Sequence, residues 1–369
     1  MKKKIALLPG DGIGPEIMDA AVKVLQAVEE KFNHEFNFSY GEIGGIAIDN
    51  TGLPLPLETL EMCMKSDAVL LAAVGGPKWD SLPKEKRAET GLLQLRKQMG
   101  LYANIRPVQA FEPLLDASPL KRELIEGIDL VIVRELSSGI YFGAPSERRE
   151  NGKVVVDTLY YTEEEMKRVI KYAFELASIR KGKVTSIDKA NVLESSRMWR
   201  EITNEIAKEY KNVEVQHMLV DSAAMQLITN PSQFDVIVTE NMFGDILSDE
   251  ASVLSGSIGL LASASISTGG THLYEPIHGS APDIAGKNIA NPLGMILSVA
   301  SMLRHSFQLE KEAKVIEKAV DNVLSSGFRT ADILEANNDK ICATTDMAKL
   351  VVEQILGDFA TKKIMEVYS

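Results

Sequence analysis

Short apolar-rich stretches alternate along this chain with longer ones in which apolar residues recur every three to four positions. The first kind, at Ile5–Leu8, Ala68–Val74, Leu130–Val133 and Phe234–Thr239, reads as buried strands. The second, at Ile17–Val28, Glu163–Ala177, Arg197–Tyr210 and Ile296–Phe307, reads as helices with one face on a core. Strand and helix in alternation predict an α/β layer fold with a mainly parallel sheet. Thr162 and Glu165 make a capping box that fixes where one helix starts.

The pattern breaks twice. In Tyr141–Tyr161 an Asn151-Gly152 turn signal lies between Tyr141-Phe142 and Val154-Val155-Val156, which predicts a protruding hairpin arm. A two-stranded ribbon is marginal alone, so the arm calls for something to pair with, and a second copy of the chain is the simplest candidate. Residues 269–292, "GGTHLYEPIHGSAPDIAGKNIANP", have no periodicity and predict a long functional loop.

A chain of 369 residues with 45% apolar content can bury a large core in one large or two moderate domains. Its formal charge of −12 argues against sequence-independent binding to nucleic acid or anionic lipid and leaves small molecules as partners. Cys63 and Cys342 fit neither a disulfide framework nor a zinc site. The longest apolar stretch, Leu293–Leu303, is too short to cross a bilayer. Lys2, Lys3 and Lys4 precede only Ile5–Leu8 before Pro9, so no signal-peptide core follows them. The expected location is the cytoplasm.

The stretch "LLPGDGIGPE" raises the question of a dinucleotide loop. Gly10, Gly12 and Gly14 give Gly-x-Gly-x-Gly, with Pro15 where the third glycine of a Rossmann fingerprint belongs. The carboxylates at the right distance, Glu29 and Glu30, end a helical pattern instead of a second strand. The stretch therefore reads as a tight strand-to-helix turn.

Three clusters can carry chemistry. Arg96, Arg106 and Arg134 have the forks that grip carboxylates, although each taken singly also reads as a surface charge. Asp245 and Asp249, four apart, share one face of a helix and repel unless a cation lies between them; the other reading is a solvated acidic face. An oxygen-only set selects Mg2+ or Mn2+. Lys189 and Asp221 each end a strand-like run, where ligands bind in α/β sheets, and form either a general base with its acid or a structural ion pair. Tyr141 reads as a proton donor or as an aromatic packed in the arm.

Taken together, "LLPGDGIGPE", "ETGLLQLRKQMGLYANIRP", "VRELSSGIYFG", "DKANVLESSRMWR", "MLVDSAAMQL", "TENMFGDILSDEAS" and "HGSAPDIAGKNIANP" resemble the 3-isopropylmalate dehydrogenase family of β-decarboxylating 2-hydroxyacid dehydrogenases, whose other members act on isocitrate, homoisocitrate or tartrate. The resemblance covers essentially the whole chain. It implies a two-domain fold that is not a Rossmann fold, with residues 1–101 and 255–369 in the first domain and 102–254, including the arm near 140–161, in the second. It implies that Arg96, Arg106 and Arg134 hold substrate carboxylates, that Leu92, Leu93 and a partner's Val192 face the group at C3, and that Asp221, Asp245 and Asp249 bind the metal. Lys189 is the implied base and Tyr141 the implied acid, with Lys189 and Asp221 reaching in from the second subunit of a homodimer. The implied cofactor is NAD, contacted by Glu89, His278, Gly279, Ala281, Asp283, Ile284 and Asn291, with Asp283 repelling a 2′-phosphate. Two readings from other classes, a metal-dependent hydrolase or lyase and a non-catalytic binder of dicarboxylates, would have no use for the adenosine loop.

Overall fold

A computed structural model describes residues 1–334 and 340–357. Its strands are β1 (Lys2–Gly10), β2 (Glu35–Tyr40), β3 (Ala68–Ala73), β4 (Leu101–Gln109), β5 (Asp129–Glu135), β6 (Ser146–Arg149), β7 (Val154–Asp157), β8 (Lys183–Asp188), β9 (Glu214–Leu219), β10 (Val236–Thr239), β11 (Ala262–Ser267), β12 (His272–Pro276) and the short pair β13 (Phe328–Arg329) and β14 (Lys340–Ile341). Between them run the helices α1 (Gly14–Phe32), α2 (Gly45–Thr51), α3 (Leu57–Met64), α4 (Ala88–Gln98), α5 (Arg122–Ile125), α6 (Glu163–Ser178), α7 (Glu194–Ala207), α8 (Val220–Thr229), α9 (Asn241–Ala251), α10 (Leu293–His305), α11 (Glu310–Ser325) and α12 (Thr344–Leu356).

Ten strands form one sheet in the order β2-β1-β3-β12-β11-β4-β5-β10-β8-β9. The pairings are parallel except β12–β11, β11–β4 and β4–β5, so the sheet is mainly parallel, as the alternation predicts. Ile5–Leu8 and all of β3 are buried, which is why these runs are continuously apolar and do not alternate. Helices cover the sheet: α6 buries Met166, Val169, Ile170, Ala173, Phe174 and Ala177, the three-to-four spacing of one face. Each large member of that stripe contributes about 1.5–3 kcal/mol of burial. The Thr162 hydroxyl accepts from the Glu165 amide at 3.3 Å while the Glu165 carboxylate accepts from the Thr162 amide at 2.8 Å, the expected capping box. Among the described residues no helix is long and apolar enough to cross a membrane.

Two expectations need correction. The arm is present, but its first strand is β6, paired antiparallel with β7; Tyr141 lies in a 3-10 turn (Gly139–Tyr141) that leads back to the sheet, with Phe142 just after it. The turn signal overrides strand propensity there: Glu150, Asn151 and Gly152 all have positive φ, and this reverses the chain beside Val154. The unpatterned stretch 269–292 also contains β12, which slots between β3 and β11. Five residues are too few to show a period.

Candidate active site

A cleft of about 300 Å3 opens at the C-terminal ends of β3 and β5, where an α/β sheet presents ligands. Ala72, Ala73 and Val74 form its floor, α4 contributes Glu89, Leu92, Leu93 and Arg96, β4 and β5 contribute Arg106 and Arg134, and α9 contributes Asn241 and Asp245. Tyr141 and Phe142 close one side, and Glu275 through Gly279 another. The three arginines thus converge, and Arg106 and Arg134 share Asp245. Arg96 donates to Glu275 at 2.9 Å. The Nε and Nη2 of Arg134 donate to the Asn241 Oδ1 at 3.1 and 2.8 Å, and its Nη1 pairs with Asp245. Arg106 donates through Nε to the Asn104 Oδ1 at 2.6 Å and lies 3.4 and 3.3 Å from Asp245 and Asp249.

Burial, with Arg106 alongside, lowers the Arg134 pKa to about 10, so the guanidinium stays charged at neutral pH. Burial alone would raise Asp245, but Arg134 and Arg106 outweigh it and hold this carboxylate below its usual range. Asp249 moves the other way, pushed up by burial against the pull of Arg106. The Tyr141 hydroxyl donates to the Asp245 Oδ2 at 2.8 Å. Burial and the neighbouring Asp245 raise the phenol to about 12, so it carries its proton at pH 7. The Asp245–Asp249 repulsion expected from sequence is relieved here by arginines.

Lys189, Asp221 and Val192 are not brought to this cleft within one chain. Lys189, past the end of β8, instead pairs with Asp221 in the first turn of α8 at 2.6 Å. Among the described residues no three His, Cys, Asp or Glu side chains converge on a metal position. Val192 is 62% exposed, and Met225 of α8 and Ile246 of α9 are comparably bare.

Of the expected cofactor residues, Glu89, His278 and Gly279 line the cleft, and Ala281, Asp283 and Ile284 follow on the adjoining loop. His278 Nδ1 is 2.9 Å from the Gly279 carbonyl, and burial lowers its pKa. Its Nε2 is buried without a protein partner. Asn291 is buried, its amide bonding Asp332 at 3.0 Å and accepting from the Leu293 backbone. The glycine turn packs onto the loop's base: the Ile13 amide donates to the Ser280 carbonyl at 2.8 Å, and a Cβ on Gly12 would fall 2.0 Å from that oxygen. Gly10 and Gly12 have φ of +65° and +57°. Between them Asp11 accepts from the Gly45, Ile46 and Gly75 amides, each at 2.8 Å.

Sequence reading missed Glu275, Asn241, Asn104 and Asp11. Asn104 was within reach, since it stands two residues before Arg106 and so shares its face of a strand. Nothing local marks Glu275, whose partner Arg96 is far away in sequence.

The isocitrate/isopropylmalate dehydrogenase family profile matches residues 4–351. A 3-isopropylmalate dehydrogenase of Bacillus licheniformis is 61% identical over the full length of both chains, and one of Bacillus subtilis is 59% identical over 97% of this chain and 98% of its own. The crystal structure of an isocitrate dehydrogenase from Methylococcus capsulatus, 37% identical, superposes with a TM-score of 0.85 over 96% of this chain and 99% of that one. An apo β-decarboxylating dehydrogenase from Thermococcus kodakarensis, 38% identical, gives 0.78 over 98% of each. These likenesses displace the hydrolase and non-catalytic readings: the chain belongs to the isocitrate/isopropylmalate dehydrogenase family.

Proposed function

We propose that this chain is an NAD-dependent dehydrogenase that oxidatively decarboxylates (2R,3S)-3-isopropylmalate to 4-methyl-2-oxopentanoate and CO2 in leucine biosynthesis. The observation that carries the reading is one cleft lined by Arg96, Arg106 and Arg134 together with Leu92 and Leu93. Three converging guanidiniums, those of Arg106 and Arg134 buried, suit a dicarboxylate, and the leucines suit a branched alkyl group at C3. A third carboxylate against those leucines would lose its water without gaining a partner, which disfavours isocitrate.

The residues present fit both absent groups. Asp245 and Asp249 give an oxygen-only donor set suited to Mg2+ or Mn2+, with Asp221 of a second copy as the remaining ligand. The unpartnered His278 Nε2 is free to accept a hydrogen bond on the loop proposed to hold adenosine, and Asp283 supplies no positive charge for a 2′-phosphate. When bound, the nicotinamide supplies the hydride acceptor and the cation polarises the C2 oxygen.

The chain's own residues do the rest. The arginines orient both carboxylates, and Lys189 of the second subunit takes the C2 hydroxyl proton. Hydride loss at C2 leaves a carboxylate β to a carbonyl, and departure of CO2 leaves an enolate. Tyr141, protonated at neutral pH, donates its proton to C3. The bare apolar side chains Val192, Met225, Ile246 and Val155 support a homodimer, and the β11–β4 seam supports a division into a 1–101/255–369 domain and a 102–254 domain. Two buried cysteines without a disulfide fit the cytoplasm.

The test is NADH formation with a panel of 3-substituted malates. Isopropylmalate should exceed isocitrate by several orders of magnitude in kcat/KM. Comparable values overturn the substrate assignment, and a preference for NADP overturns the reading of the loop.

A further inference from the structure

Arg106 is oriented by neutral groups, although two carboxylates lie close to it. Its shortest contacts are the Asn104 Oδ1 at 2.6 Å and the Ser248 hydroxyl at 2.5 Å, whereas its bonds to Asp245 and Asp249 are longer, at 3.4 and 3.3 Å. Asn104 is fully buried, does not line the cleft, and is itself anchored. In β4 it stands opposite Ser265 of β11 on one side and Arg134 of β5 on the other. Its Nδ2 donates to the Ser265 and Ser263 hydroxyls at 3.0 and 3.3 Å. An amide whose nitrogen is tied to the neighbouring strand has its oxygen aimed in one direction, at the Arg106 Nε.

We infer that Asn104 is a positioning residue: braced by Ser263 and Ser265, it fixes the Nε edge of Arg106, so that the fork stays aimed at the substrate carboxylate and reaches Asp245 and Asp249 only through long contacts. Without that acceptor the guanidinium turns further toward the two carboxylates it already touches and shortens those contacts, because an unpaired buried donor is costly. The arginine then withdraws from the cleft and neutralises both acids.

The inference rests on the proposed binding of isopropylmalate by Arg106, and the experiment separates the two. Calorimetry measures isopropylmalate affinity and steady-state kinetics the KM for NAD, with melting temperatures in parallel. Asn104→Ala should weaken isopropylmalate about tenfold or more, the scale of a hydrogen bond to a charged group, and leave the KM for NAD unchanged. Asn104→Asp keeps the acceptor and should recover most of the affinity, since the serine hydroxyls can donate to it. Ser265→Ala, a milder change, should weaken isopropylmalate a few-fold, and adding it to Asn104→Ala should cost nothing more. Unchanged isopropylmalate affinity in Asn104→Ala and Ser265→Ala, additive losses, or equal weakening of isopropylmalate and NAD overturns the positioning role. Absence of isopropylmalate binding by the unmodified protein overturns the substrate reading together with it.

Discussion

The cleft and the Lys189–Asp221 corner use the same ingredients, cations and carboxylates at strand ends, yet they are finished to different degrees. In the cleft the arginines and Asp245 are committed within the chain: the Arg134 and Arg106 side chains are 4% and 7% exposed and bond Asn241, Asn104, Ser248 and the acids of α9. At the corner Lys189 and Asp221 have only each other, with 27% and 59% of their side chains in water and bare apolar residues nearby. Buried charges must be paired wherever they stand, because desolvation costs more than a surface contact returns. An exposed pair contributes little and is free to be redirected. The cleft therefore behaves as a receptor organised in advance, and the corner as a component awaiting a second chain.

The sharpest way to break this contrast is to damage one region in each subunit. Lys189→Ala and Asp245→Ala should each be nearly inactive as homodimers. Refolded together, they form mixed dimers in which one site carries both lesions and the other is intact. Activity should rise to as much as half that of the unmodified dimer. Verified mixed dimers as inactive as their parents would mean that Lys189 serves its own chain.

A smaller effect tests the prior organisation of the cleft. Gly12→Ala places a side chain at φ +57° and a methyl against the Ser280 carbonyl. The left-handed conformation alone costs about 1–2 kcal/mol. We expect a lower melting temperature and a raised KM for NAD, because the loop base beside His278 is displaced, with the isopropylmalate affinity largely kept. An unchanged KM for NAD would separate the turn from the cofactor loop.

The smallest effect lies where no partner is needed. Thr162→Ala removes the cap that anchors α6 behind the arm and should cost about 1 kcal/mol at neutral pH, whatever the protein concentration. Burial would raise Glu165, but hydrogen bonds from Ser138 and Thr162 hold its pKa below 4.5. A carboxylate depressed in the folded state stabilises above its ordinary pKa and loses that contribution as pH falls from there through its lowered folded-state pKa. The gap between variant and parent in thermal melts should therefore narrow in acid. A gap that widens would mean the box does not depend on the ionised Glu165.

Patterns with a local cause were legible in the sequence. The strands around Ile5–Leu8 and Ala68–Val74, the helix opened by Thr162 and the Asn151-Gly152 reversal all follow from period or turn chemistry. Pairings that depend on the folded sheet were not. Arg96 meets Glu275, and Asn104 meets Ser265, only because β11 and β12 return between β3 and β4. The arginines and acids were read as separate clusters, and family resemblance, not spacing, joined those clusters into one site. Asp11 was read as part of a turn, and the three amides it collects come from segments no periodicity connects.

The strand order also governs how the chain reaches this state during synthesis. β3 emerges early, with β1 on one side, and its other edge is completed only by β12, where Ala68 pairs with His272. Strands β4, β5, β8, β9 and β10, made in the interval, pair among themselves and share a core around Ile132, Ile187, Ile237 and Leu247. The middle of the chain can therefore consolidate first, while the N-terminal portion waits with an open apolar edge. Such long-range closure is slow and exposes that edge to association. The portion of the molecule made first is the last to be sealed, so a ribosome-stalled fragment ending before β12 would carry an aggregation hazard at Ala68–Ala73.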